Sequence, residues 1–136
     1  MNYWILKTEP STYSFDDLKK AGSTVWDGVK NPVALKHIRA MQPGDQVLIY
    51  HTGDEKSIVG HAEITSAAYP DPQSKDLAVV NLRAGKSVSR PVTLAAIKAD
   101  PAFAELGLVR MGRLSVVPAT EAQWKRLVAM SEPAAR

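Results

Sequence analysis

The chain has 136 residues, 45% apolar and 23% charged, with a net charge of +3, proportions ordinary for a single soluble domain with one sizeable core. It contains no cysteine, which excludes disulfides, thiol nucleophiles and cysteine-ligated zinc. No apolar run approaches the ~20 residues of a membrane span, and Met1-Asn2-Tyr3-Trp4 lacks a charged leader segment, so a cytoplasmic, monomeric domain over residues 1–136 is expected, with no membrane contact.

In chain order, Tyr3 to Thr8 is rich in aromatic and aliphatic residues and reads as a largely buried strand ending at Glu9-Pro10. Ser14 with Asp17 forms a capping box for a short helix through Phe15 and Leu18, stopped at Gly22. Strand-like Val25 leads into Trp26-Asp27-Gly28-Val29-Lys30-Asn31-Pro32. Here Asn31 can cap a helix, Pro32 suits its first position and Gly28 permits a tight turn. That helix buries Ala34, Leu35, Ile38 and Met41, and Gln42-Pro43-Gly44-Asp45 ends it.

Val47 to Thr52 is the clearest strand, and Ser57 to Thr65 reads as its antiparallel partner. Tyr69-Pro70-Asp71-Pro72 reads as a rigid loop, followed by strands at Leu77–Leu82 and Val88–Val92. Thr93 caps a short helix limited by Pro101, and the segment from Leu106 to Arg113 leads to a last strand at Leu114–Val117. Thr120 with Gln123 boxes a final helix facing Trp124, Leu127 and Val128 inward, and the tail from Ser131 is expected to fray. Strands dominate, with short helices inserted early and at the end. A curved sheet or small barrel covered by helices accommodates this order.

Charge is unevenly placed. Residues 1–70 carry 7 Lys/Arg against 8 Asp/Glu, and residues 71–136 carry 10 against 6. Arg83, Lys86, Arg90 and Lys98 lie in an acid-free stretch from Leu77 to Ala99. They could follow a phosphate backbone or simply blunt a sheet edge.

Catalytic signals are sparse. His37, His51 and His61 have no carboxylate at a metal-site or triad spacing, and no glycine-rich phosphate loop occurs. No metal, no cofactor and no catalysis are expected. Polar and aromatic groups instead gather where strands end: Lys7-Thr8-Glu9, Trp26 to Asn31, Tyr50-His51-Thr52, and Arg113 with Ser115. At the mouth of a small barrel these could line one pocket offering aromatic faces and hydrogen bonds to a flipped-out base. Trp26 alone could equally be a core plug.

The motifs Trp4-Ile5-Leu6-Lys7-Thr8-Glu9-Pro10, Trp26-Asp27-Gly28-Val29-Lys30-Asn31, Pro43-Gly44-Asp45, Ala68-Tyr69-Pro70-Asp71 and Arg113-Leu114-Ser115-Val116 occur in order along nearly the whole chain. Together they resemble the EVE domain, of the PUA-like group that also holds the YTH and ASCH domains. The resemblance implies an α+β fold, a small, mostly antiparallel PUA-like β-barrel with flanking short helices. It also implies a non-catalytic reader of a modified base, such as a modified cytosine, in DNA or RNA.

On that reading Trp26 is a pocket wall, Asn31 a hydrogen-bonding group as well as a cap, and Lys7, Thr8 and Glu9 the rim or floor. Tyr50 and His51 control an edge or face of the base, though strand alternation lets only one point into the pocket. Arg113 and Ser115 close the site or hold a phosphate, and Trp4 stays in the core. Gly112 departs from the polar residue that often precedes the Arg-Leu-Ser segment, and the loop between Tyr69 and Leu77 is short. An enzyme acting on a nucleobase or small metabolite, and a small-ligand or protein-binding module without nucleic-acid contact, are the competing readings.

Overall fold

A computed structural model of the chain describes residues 1–132. The strands are β1 (Tyr3–Thr8), β2 (Ser23–Trp26), β3 (Gln46–His51), β4 (Ser57–Ile64), β5 (Tyr69–Asp71), β6 (Ser74–Thr93) and β7 (Val116–Ala119). The helices are α1 (Phe15–Ala21), α2 (Pro32–Ala40), α3 (Leu94–Lys98), α4 (Gly107–Arg110) and α5 (Glu121–Met130), with a 3-10 turn at Pro101–Phe103. The sheet runs β2-β6-β4-β3-β1-β7, with β5 added beside β6. Only β1 and β3 pair in parallel among the described strands. The segment between them holds both early helices and β2, the long crossover that a parallel pair requires.

Local chemistry explains the helix starts. Ser14 and Asp17 exchange both bonds of a capping box, and Thr120 and Gln123 do the same for α5. The Asn31 carboxamide accepts from the amides of Val33 and Ala34 at 2.9 and 3.1 Å. Thr93 caps α3 through Ala96. Each cap meets amides that would otherwise lack a partner in the first turn.

The core is one continuous cluster that includes Ile5, Leu6, Leu18, Ile38, Leu48, Ile49, Ile58, Leu82, Phe103 and Leu127. Gly60 on β4 makes room for it. A Cβ there would sit 2.2–2.4 Å from the Phe15 ring, so the ring packs directly on the strand backbone. The register of β4 against β6 shifts on both sides of Gly60, as bulged strands do where they bend.

Several expectations change. Tyr69–Asp71 pairs with β6 as a short strand instead of forming a loop. The two strands expected at 77–82 and 88–92 are parts of one twenty-residue strand, β6. Bulges against β4 absorb the break in its apolar pattern. Residues 107–110 form the short helix α4, and the last strand is Val116–Ala119, two residues later than expected. Ser131 is not frayed: it is buried, and its carbonyl accepts the Arg90 amide at 2.9 Å. The rest of that expected tail reaches residues 133–136, outside the described residues.

The sheet is mixed and open. The end strands β2 and β7 have four residues each and share no ladder among the described residues, so a hydrogen-bonded barrel does not close. No helix of the described residues is long and apolar enough to cross a membrane.

Two histidines sit in this framework. His61 meets the edge of Trp124 with ring centroids 6.1 Å apart, and His37 packs beside Trp4 at 5.8 Å. Burial depresses the His61 pKa from its ordinary 6.5, with Lys86 adding repulsion and Glu132 opposing it. Burial also depresses His37, with Lys36 adding to the effect. Both rings bind protons more weakly folded than unfolded, so stability present above pH 6.5 is lost as pH falls toward their folded-state values. The melting temperature is expected to drop between pH about 7.5 and about 5.5, the range where histidine titrates. His61→Gln should lessen that drop. An equal drop in both proteins would assign it to other groups.

Candidate nucleic-acid interface

The largest of three hollows formed by the described residues lies at the open seam. It is about 580 Å³, lined by Lys7, Thr8 and Glu9 at the end of β1, Thr12 and Tyr13 beyond it, Thr24 to Val29, and Ser115. Residues of β2 and the residue just ahead of β7 thus share one cavity. The sheet curls until its two ends face each other across a gap that no ladder fills.

Each wall has a local cause. The Glu9 carbonyl accepts the amides of Thr12 and Tyr13, both at 2.9 Å, and the Thr8 hydroxyl donates to the Tyr13 carbonyl at 2.6 Å. This tight turn fixes Tyr13 against Trp26, with ring centroids 6.3 Å apart and planes at 80°. Trp26 ends β2 opposite Val80 of β6. It is 8% exposed and belongs to the core cluster while also lining the cavity. Gly28 then turns the chain with φ +77°, a conformation that side chains with a Cβ rarely adopt.

The polar groups divide into committed and available ones. The Glu9 carboxylate is held by the Ser11 amide and hydroxyl at 3.2 and 3.0 Å and by the Thr52 hydroxyl at 3.3 Å. These bonds, the Ser11 amide first, lower its pKa. Glu9 therefore organises the turn. Asp27 is exposed on the cavity rim and makes no ion pair among the described residues. The Lys7 ammonium donates to the Gly112 carbonyl at 2.8 Å and lies 5.8 Å from the centre of the Tyr50 ring. Burial lowers its pKa.

The remaining residues singled out from sequence fall elsewhere. Tyr50 lines a second hollow of about 200 Å³ that shares Lys7 with the first. Asn31 and Arg113 share a third, of about 300 Å³, with Val33, Met111 and Leu114. His51 lines none of these three hollows. Its Nε2 accepts the Phe15 amide at 2.9 Å and its Nδ1 faces Glu55 at 3.0 Å, so the ring joins β3 to the start of α1. One mouth was expected; the strand ends feed three adjoining hollows. Of the nine pocket residues, Lys7, Thr8, Glu9, Trp26 and Ser115 come together in the largest.

The basic residues are also dispersed. Arg83 is paired with Glu63 at 3.0 Å, and the exposed Lys86 and Arg90 line none of the three hollows. Lys98 lines the second. Thr12, Tyr13, Thr24 and Val25 line the cavity without having been singled out from sequence, and Asp27, Gly28 and Val29 belong to the Trp26 to Asn31 segment without having been named as pocket residues. An aromatic side chain in an otherwise polar turn, Pro10-Ser11-Thr12-Tyr13-Ser14, is the signal that would have found Tyr13. Among the described residues, no group of three or more His, Asp or Glu is placed to hold a metal ion.

An α+β chain with an aromatic-walled cavity at the seam of a curled, mixed sheet is the class these features define. The family model of the EVE domain matches residues 2–130, and the chain belongs to that family. It is 41% identical to a Rhodopseudomonas palustris protein of known NMR structure, covering 96% of this chain and 93% of that one with a TM-score of 0.91. It is 26% identical to thymocyte nuclear protein 1 of Homo sapiens over 96% of this chain and 74% of that protein. The crystal structure of the human THYN1 protein in complex with 5-methylcytosine-containing DNA superposes with a TM-score of 0.90 at 24% identity, covering 99% of this chain and all of that one.

Proposed function

We propose that this chain is a non-catalytic reader of a modified cytosine in DNA, and that the cavity beside Trp26 receives the base turned out of its stack. The perpendicular pair of Tyr13 and Trp26 carries the reading. A planar ligand stacked on one ring meets the edge of the other, the arrangement aromatic systems favour. Stacking alone is sequence-tolerant, so selectivity falls to the rim, where Asp27 can accept from a base edge and Ser115 can donate to or accept from it. The volume of about 580 Å³ suits a nucleobase with part of its sugar, within the usual range of small-ligand sites. Membership of a family that includes a relative crystallised on 5-methylcytosine DNA supports the same assignment.

Binding of otherwise identical oligonucleotides carrying cytosine or 5-methylcytosine at one position tests it. The methylated strand is expected to bind tighter, and Tyr13→Ala should remove the preference while the fold survives, since Tyr13 is only partly buried. Equal affinity of the wild-type chain for both strands would defeat the reading. Mass spectrometry of the oligonucleotide after prolonged incubation should return it unchanged. A new product lost in Asp27→Asn would favour an enzyme instead.

A further inference from the structure

The second hollow has a different chemistry from the first. Three lysines from three elements line it: Lys7 of β1, Lys56 of the turn between β3 and β4, and Lys98 at the end of α3. No carboxylate is among its lining residues. A neighbouring acid is Glu9, whose oxygen lies 2.9 Å from where a Cβ on Gly53 would stand. That carboxylate is already held by Ser11 and Thr52. The hollow is built, because the Leu94 amide donates to the Lys56 carbonyl at 2.8 Å and so docks the turn on α3. Lys56 itself adopts φ +44°, an uncommon conformation for a residue with a Cβ, held by that docking.

Tyr50 supplies an independent observation. It is 3% exposed and lines the hollow, yet among the described residues its hydroxyl has no hydrogen-bond partner. No buried side-chain oxygen is left unpaired among the described residues, so this hydroxyl keeps some exposure to solvent. Burial raises its pKa, which keeps it a donor. Three lysines lining one hollow leave it with an excess of positive charge that the single neighbouring Glu9 does not offset, and an anion bound there would lower that excess. Leu94 and Leu108 form an apolar floor that concentrates the field.

We infer that this hollow holds a phosphodiester of the bound strand, the one flanking the base in the neighbouring cavity, with Lys7 bridging the two sites. The inference rests on the proposed base cavity. It keeps Lys98 of the four basic residues read from sequence and sets Lys56 and Tyr50 beside it in place of the three on β6. Lys7 then acts at the shared wall, with its charge toward the phosphate and its carbon chain along the base cavity.

A set of strands, each carrying one modified cytosine and one neutral methylphosphonate at a different position, provides the test. In the wild-type chain one position flanking the base is expected to weaken binding about tenfold, the size of a lost charge-assisted bond. In the Lys56→Asn/Lys98→Gln double variant the effect of that methylphosphonate should shrink to the part that Lys7 and Tyr50 still carry, and the salt slope should fall by roughly 0.7 for each phosphate neutralisation removed on a single strand. Asparagine suits the positive φ at position 56. Tyr50→Phe keeps the buried ring and should weaken the phosphate strand several-fold without changing the melting temperature.

No sensitive flanking position, or sensitivity undiminished in the double variant, overturns the inference. Competition by millimolar inorganic phosphate that leaves the methylphosphonate pattern absent would make the hollow a free-anion site and also overturn it. Loss of the preference for the modified base with the flanking phosphate still sensed would instead defeat the base cavity alone.

Discussion

Replacing Trp26 by alanine is expected to lower the unfolding free energy by about 3–5 kcal/mol, the usual cost of truncating a large core aromatic. It should also erase base-selective binding in the fraction that remains folded. Both effects follow from one placement. The indole is 8% exposed and part of the core cluster, and it is also a wall of the cavity. Stacking on one aromatic contributes about 1–3 kcal/mol per base, smaller than the packing loss, so the alanine variant alone mixes the two. Trp26→Phe separates them by keeping an aromatic wall and most of the buried volume. It should melt well above the alanine variant and retain part of the selectivity. An alanine variant that melts like the wild type would remove Trp26 from the core. Undiminished selectivity in the same variant would remove it from the site.

The sequence presented a wall and a core plug as alternatives, and the structure combines them because β2 ends at the seam of the sheet. Most of what could be read in advance is local in this way. The caps at Ser14, Asn31, Thr93 and Thr120 are made by side chains within three residues of the amides they meet, so spacing alone reveals them. The strands from Tyr3 and Val47 carry dense apolar runs for the same reason. Pairing is not local. Nothing near residues 83–87 announces that β6 runs unbroken past Gly85, because continuity depends on bulges in β4 opposite it.

The site shows the same division. Lys7, Thr8 and Glu9 share a cavity with Trp26 because β1 and β2 both end there. Tyr50 and His51 look equivalent at a polar strand end, and alternation sends them to different fates. Tyr50 opens toward Lys7, whereas His51 turns inward to accept the first amide of α1. That amide belongs to a residue thirty-six positions away, and no sequence pattern points to it. The basic excess after residue 70 could be read from composition, but the cross-strand pairing of Arg83 with Glu63 could not, because the two are twenty residues apart.

Asp45→Asn is expected to destabilise the fold by about 2–4 kcal/mol, the scale of breaking a buried, charge-assisted hydrogen-bond set, although it removes no atom from the core. The Asp45 side chain is buried, and its Oδ1 accepts the Asn2 amide at 3.0 Å. Its Oδ2 accepts both the Trp4 indole N–H and the Gln42 amide, each at 3.0 Å. All three partners are donors. A carboxylate satisfies them because it only accepts, whereas a carboxamide must present its own N–H groups to at least one of them. The facing donors would then lose a bond and repel, and no rotation of the amide avoids it. This clasp ties the start of β1 to the turn before β3, where Gln46 stands opposite Tyr3 in the parallel register. The residues that line the two hollows stand at the other end of the same strands, Lys7 opposite Tyr50. Asp45→Asn should therefore lower the melting temperature sharply while leaving the affinity for a modified oligonucleotide unchanged at temperatures where the chain stays folded. Asp45→Ala, which leaves the same donors without any acceptor, should melt no higher. A wild-type melting temperature in Asp45→Asn would mean that the Trp4 and Gln42 donors find other partners. A fall in affinity without a fall in melting would mean that the clasp sets the geometry of the site through the register of β1 on β3.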